Sequence, residues 1–262
     1  MQGYTEKLRS QLDETVQYQL LLNEHSIPLN PYLGKHIQLR FTGNIACINC
    51  RKAIKKTFNQ GYCYNCFISL ASCDMCIMKP ETCHYTNGTC REPKWAENFC
   101  FQPHIVYLAN SSGIKVGITR QTQIPTRWID QGATQALAII QTPSRYLAGL
   151  IEVTLAKHIS DKTNWQQMLK ANAQPIDLQA QRDDLLNLCT NELKNIQYQV
   201  LNENPLTINF PILDYPKKIK SFNFEKQSEI SGVLQGIKGQ YLILDTGVLN
   251  IRKFTGYELE FN

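Results

Sequence analysis

Two C-x-x-C pairs stand twelve residues apart, Cys47 and Cys50 in CINC and then Cys63 and Cys66 in CYNC. Two-residue spacing lets both thiolates of a knuckle reach one ion, and two knuckles complete a tetrahedron of four thiolates, the coordination of structural zinc. A closed site of this kind leaves no position for water, so its work is in folding rather than catalysis.

The stretch that follows, SCDMCIMKPETCHYTNGTCREPKWAENFCFQPH, offers Cys73, Cys76, Cys83, His84, Cys90, Cys100 and His104. Seven candidates exceed one tetrahedral site and fall one short of two. One further zinc is expected, two ions in all, with Cys73 and Cys76 among the ligands of the second. Spacing does not choose among Cys83, His84, Cys90, Cys100 and His104 for the rest. Cys189, in the apolar run DDLLNLC, reads as a buried core thiol. The N-terminal MQGYTEKLRSQLDE has no apolar segment behind basic residues, and nothing approaches the about 18 uninterrupted apolar residues of a membrane span. The expectation is a soluble cytoplasmic protein, where thiols stay reduced and metal is preferred to disulfides.

Charge is spread unevenly. The net charge of +5 is modest, but no acidic residue lies between Glu24 and Asp74, where Lys35, Arg40, Arg51, Lys52, Lys55 and Lys56 fall. A second acid-free stretch from Glu97 to Asp130 carries Lys115, Arg120 and Arg127. Such blocks suit a polyanion, because each neutralised phosphate releases counterions. They also suit a solvated face, and the cations between the knuckles would offset four thiolates around a divalent ion. Arg51, Lys52, Lys55, Lys56 and Arg120 are the candidate nucleic-acid contacts, with DNA or RNA the expected partner.

The segment IVYLANSSGIKVGITR reads as a hairpin, strands 105–110 and 114–119 around Ser111, Ser112 and Gly113. A helix from Pro125 to Gly132, a strand over 135–141 and a helix opened by Thr142 and Pro143 follow. That order, with Tyr107 on the first strand and Gly117 closing the second, resembles the GIY-YIG endonuclease superfamily. Ile105-Val106-Tyr107 and Lys115-Val116-Gly117 stand at its two signatures, with Arg127 and Glu152 on later helices. The chain as a whole also resembles an uncharacterised bacterial family that joins zinc-binding cysteines to such a segment. Three departures are visible: the first Gly is Ile105, Lys115 replaces the second Tyr, and only seven residues separate Tyr107 from Lys115.

The resemblance implies a phosphodiesterase in which Glu152 holds one Mg²⁺, Arg127 braces the phosphate, Tyr107 orients or deprotonates water and Lys115 acts as base. Each residue also has a plain structural reading. A lysine in an edge strand discourages aggregation and snorkels among apolar neighbours, Tyr107 fits a core, and most acids on an amphipathic helix face solvent.

These residues need a scaffold. TVQYQLLLN and KHIQLRFTG alternate as strands do, and SEISGVLQGIKGQYLILDTGVLNIRKFTGYELEF gives three or four short β runs punctuated by glycine. DKTNWQQMLKANAQ and DLQAQRDDLLNLCTNELKNI read as helices capped by Thr163 and Asp177, with Asp183 and Asp184 on a solvated face. The expected class is α+β: an N-terminal β segment (1–45), a zinc-ribbon-like module (46–103), a GIY-YIG-like α/β unit (104–160), a helical connection (161–197) and a small antiparallel β unit (198–262). Three functions fit this organisation. They are a zinc-containing, Mg²⁺-dependent endonuclease, a noncatalytic DNA- or RNA-binding protein, and a zinc-stabilised adaptor for a protein partner.

Overall fold

The computed structural model describes residues 1–159 and 164–262. Its class is α+β, as the sequence implies. A seven-stranded antiparallel sheet takes strands from both ends of the chain, in the order Gln2–Tyr4, Tyr257–Phe261, His36–Ala46, Glu229–Lys238, Tyr241–Leu244 and Gly247–Asn250, with Ala53–Ile54 paired to the far end of His36–Ala46. Leu39 lies opposite Ile230 on one side and Phe261 on the other. All three are buried, which is why the alternation of Ile37 and Leu39 is so plain in the sequence. A three-stranded sheet, Arg9–Gln11, Gln17–Leu22 and His25–Pro28, shares this core through Leu20, Leu22 and Ile27.

A second sheet carries the hairpin. Its order is Gln199–Val200, Gln135–Thr142, His104–Asn110 and Ile114–Arg120, with Leu206–Thr207 also paired to Gln135–Thr142. The strand His104–Asn110 is buried along its whole length. Ile105, Tyr107 and Ala109 enter the core shared with the large β unit, while Val106 and Leu108 pack on Ala148, Ile151 and Leu155 of the helix Arg145–Ala156. With both faces covered, the strand reads as a continuous apolar run rather than an alternating one.

Helix starts follow side-chain caps. Thr142 remains in its strand, opposite His104, and its hydroxyl donates to the Ser144 carbonyl (2.9 Å). Ser144 is the cap instead, its hydroxyl accepting from the Leu147 N–H, so the helix begins two residues later than Pro143 implies. Pro125 stands at the N-cap position of the short helix Thr126–Asp130, one residue before its start and with no side-chain cap, and Gly132 follows with φ +69°. Of the 161–174 stretch the described part holds one turn, Trp165–Met168, capped by Asn164 on the Gln166 N–H (2.8 Å); Thr163 lies outside the described residues. Asp177 caps Leu178–Leu193 through the Gln179 and Ala180 N–H groups. Asp183 and Asp184 are exposed on it, Asp183 paired with Arg182 (2.8 Å), and Cys189 is fully buried. Among the described residues no helix is long and apolar enough to cross a membrane.

Candidate functional site

The first four cysteines converge. Cys47 follows the strand His36–Ala46, and a tight turn with Arg51 at φ +60° brings the Lys52 carbonyl onto the Cys47 N–H (2.9 Å). Cys63 is the N-cap of the helix Tyr64–Ser69, which holds Cys66. The four sulfurs lie within 4.8 Å of one another, and Cys50 and Cys63 are 3.8 Å apart. A regular tetrahedron with metal–sulfur bonds of about 2.3 Å has sulfurs about 3.8 Å apart, so the cage matches a metal ion. Donors support anionic sulfur: the Cys63 N–H points at Cys47 Sγ (3.2 Å) and Asn49 Nδ2 at Cys66 Sγ (3.4 Å). Without a cation the thiols compete. Burial raises Cys47, but the N–H groups of Cys50, Cys63 and Asn49 prevail and hold it at about 6. Asn49 lowers Cys66, but burial and the other three sulfurs push it up to about 12. A divalent ion removes that conflict.

The remaining ligand candidates divide. Cys76, Cys83, His84, Cys90 and Cys100 surround a small cavity; Cys73 is buried in the turn Ala71–Cys73 and lines no part of it. The donor atoms of Asp74, Cys76 and His84 lie within 4.8 Å of one another. His104 is fully buried in its strand, its Nδ1 2.8 Å from the Gln102 carbonyl, and burial pushes its pKa down to about 4.

Of the groups singled out for phosphodiester chemistry, Tyr107, Arg127 and Glu152 lie within electrostatic reach of one another beside the hairpin. Tyr107 and Gly117 are directly paired across it, and a Cβ on Gly117 would stand 2.6 Å from both Cζ and Oη of Tyr107. The glycine therefore lets the ring cross the edge strand. Arg127 projects from the short helix beyond, and Glu152 from the helix Arg145–Ala156. Burial raises the Tyr107 phenol, against the pull of the Arg127 guanidinium and with Glu152 adding to the rise. Burial also raises the half-buried Glu152 carboxyl; Arg145 and Arg127 oppose this and Glu81 reinforces it. Tyr107, Arg127, Arg145, Glu152 and Glu81 thus share one electrostatic neighbourhood. Lys115 lies two residues from Gly117, paired with Ala109 and on the Tyr107 side of the hairpin.

Three contributors escaped sequence reasoning. Arg145 donates from Nη2 to the Ile77 carbonyl (2.5 Å) and from its backbone to the Cys100 carbonyl (2.7 Å), so it is held by the cysteine-rich module. Glu81 follows Pro80, which packs so closely on Gly149 that a Cβ there would be 2.5 Å from it. Arg252, from the C-terminal β unit, is lowered by burial and by Arg127. Two signals were available, the seven-residue spacing that puts Arg145 on the Glu152 face of the helix and the glycine at position 149, which permits close approach. Tyr107 Oη, Gln131 Oε1 and Arg145 Nε are buried with no hydrogen-bond partner among the described residues, which marks this region as polar rather than plain core.

A cleft of about 890 Å³ adjoins it, lined by Lys7, Arg51 and Arg252, by Glu6 and Glu24, and by Ile77 and Met78. Arg252 links the cleft to Arg127 and Ile77 links it to Arg145. Lys52, Lys55 and Lys56 are exposed on the knuckle loop outside the cleft, Lys56 over the Phe58 ring (5.6 Å). Arg120 stacks on Phe99, its Cζ 4.4 Å from the ring centre. In the C-terminal unit Lys238, Phe254 and Tyr257 are buried, so that part of the surface has no stacking platform built from them.

Residues 34–259 match the family model described as Protein of unknown function (DUF2797), and the chain belongs to that family. No curated protein and no solved structure matches it.

Proposed function

We propose that this DUF2797 member is a zinc-containing nucleic-acid-interacting protein whose groove is a Mg²⁺-dependent phosphodiesterase site on a divergent GIY-YIG unit. The observation that carries the reading is the electrostatic neighbourhood of Tyr107, Arg127, Arg145 and Glu152, beside a cleft in which Lys7, Arg51 and Arg252 outnumber Glu6 and Glu24. Zinc at Cys47, Cys50, Cys63 and Cys66 would hold the module that contributes Ile48, Arg51 and Tyr62 to the cleft.

The donor set suits Mg²⁺, which accepts one or two carboxylates and keeps its waters and substrate oxygens as the other ligands; Glu152 would hold it, with the Glu81 carboxylate nearby. Bound there, the ion would supply Lewis acidity to a phosphoryl oxygen. The guanidinium planes of Arg127 and Arg145 brace the non-bridging oxygens. Tyr107, whose phenol is raised, stays protonated at neutral pH and orients the attacking water through its hydroxyl, and Lys115, on the same side of the hairpin, is the proposed base only in its neutral amine form.

The complete burial of Tyr107 favours a second reading, a noncatalytic protein that holds DNA or RNA in the same groove. Binding of single- and double-stranded DNA and RNA oligomers across a salt series, with cleavage followed in the presence of Mg²⁺, separates the readings. Binding that weakens steeply with salt, together with cleavage lost in Glu152→Ala, supports the enzyme. Salt-sensitive binding without cleavage leaves the binding protein. Absence of both defeats the nucleic-acid reading and favours an adaptor for a protein partner.

A further inference from the structure

We propose that Cys76, Cys83, Cys90 and Cys100 bind a second divalent metal ion, zinc by its affinity for thiolates, in a closed four-sulfur site beneath the start of the helix Arg145–Ala156. All four line one cavity of about 20 Å³, room for a single water-sized particle, and all four are half-buried. Ala71, Ile77, Trp95 and Ala96 supply apolar wall, and Asp74, His84 and Tyr85 also line the cavity. A second cavity of about 20 Å³ touches Cys76, Cys83 and Cys100 from the other side and reaches Arg145.

The competing ligands are already engaged. Asp74 Oδ2 pairs with Arg91 Nε at 2.7 Å, and its Oδ1 faces the Cys76 N–H as a helix cap. His84 uses both ring nitrogens, Nδ1 with Thr89 Oγ1 (2.7 Å) and Nε2 toward Asp74 (3.5 Å). Cys73 and His104 line neither cavity. The thiolates of Cys76, Cys83, Cys90 and Cys100 remain, and a carboxylate–histidine pair beside them fits an outer shell.

The site also has a structural consequence. Arg145 is held by the carbonyls of Ile77 and Cys100, one residue after one ligand and at another. The ion fixes both chain segments that aim Arg145 at the groove.

Zinc content per chain and zinc-edge X-ray absorption of the purified full-length protein test the site. Two zinc ions per chain with a sulfur-only first shell at about 2.3 Å are expected. Cys83→Ser and Cys90→Ser should each retain one ion, while Cys73→Ser and His84→Asn retain two. One ion per wild-type chain, nitrogen or oxygen in the first shell, or loss of the second ion in Cys73→Ser or His84→Asn but not in Cys83→Ser overturns the assignment. The absorption measurement uses the wild type and needs no variant to fold. Both readouts count metal rather than cleavage, so they stand apart from the phosphodiesterase reading.

Discussion

Tyr107 and Gly117 face each other across the hairpin, and the phenol occupies the space that any side chain at 117 would need. The ring is held edge-on against Trp128, with centroids 5.9 Å apart, so it cannot swing away cheaply. Gly117→Ala is therefore expected to cost about 1–3 kcal/mol through overpacking. The cost should shrink when Tyr107→Ala is present, and urea unfolding of the four proteins in the cycle reads that coupling.

Glu152 is stabilised in its neutral form by burial and by the proximity of Glu81. Glu152→Gln keeps the shape and removes the charge. Its urea midpoint at neutral pH should equal or exceed that of wild type, while cleavage disappears. A loss of stability in this variant would instead make Glu152 a structural ion-pair partner.

The cleft cations predict a graded effect. Arg252 lines the cleft and lies within electrostatic reach of Arg127. Arg252→Ala should weaken oligonucleotide binding uniformly across sequences and reduce the slope of log affinity against log salt by about one. Lys52→Ala, outside the cleft, should change it less.

Lys238 gives a pH signature unrelated to the groove. It is fully buried, its Nζ donating to the Ala171 carbonyl (3.1 Å), and burial lowers its pKa to about 8. The folded state then binds fewer protons than the unfolded chain between pH 8 and about 10.4, so stability due to this group rises with pH across that window. The full effect is on the order of 3 kcal/mol. Lys238→Met should abolish this rise, which urea midpoints at pH 7 and pH 10 measure as a difference from wild type.

The parts that were legible are local. The C-x-x-C knuckles carry their geometry in two-residue spacing, and the strands at 104–110, 114–120 and 135–142 are marked by apolar runs and the Ser-Ser-Gly turn. Helix starts slipped because Thr142 and Ser144 are both competent caps, and only strand pairing with His104 decides between them. What sequence does not carry is convergence at a distance. Arg145 meets Ile77 across 68 positions. Cys73 illustrates the limit: its spacing to Cys76 copies the knuckles, yet the turn it sits in takes it out of the cavity.

The central claim is that the Glu152 groove cuts phosphodiester bonds, and the most direct measurement is Mg²⁺-dependent cleavage of a mixed DNA and RNA panel by wild type and Glu152→Gln at matched zinc content and folding. The account predicts products from wild type and none from the variant. Equal cleavage by both proteins, or none by either while binding stays salt-sensitive, would contradict it.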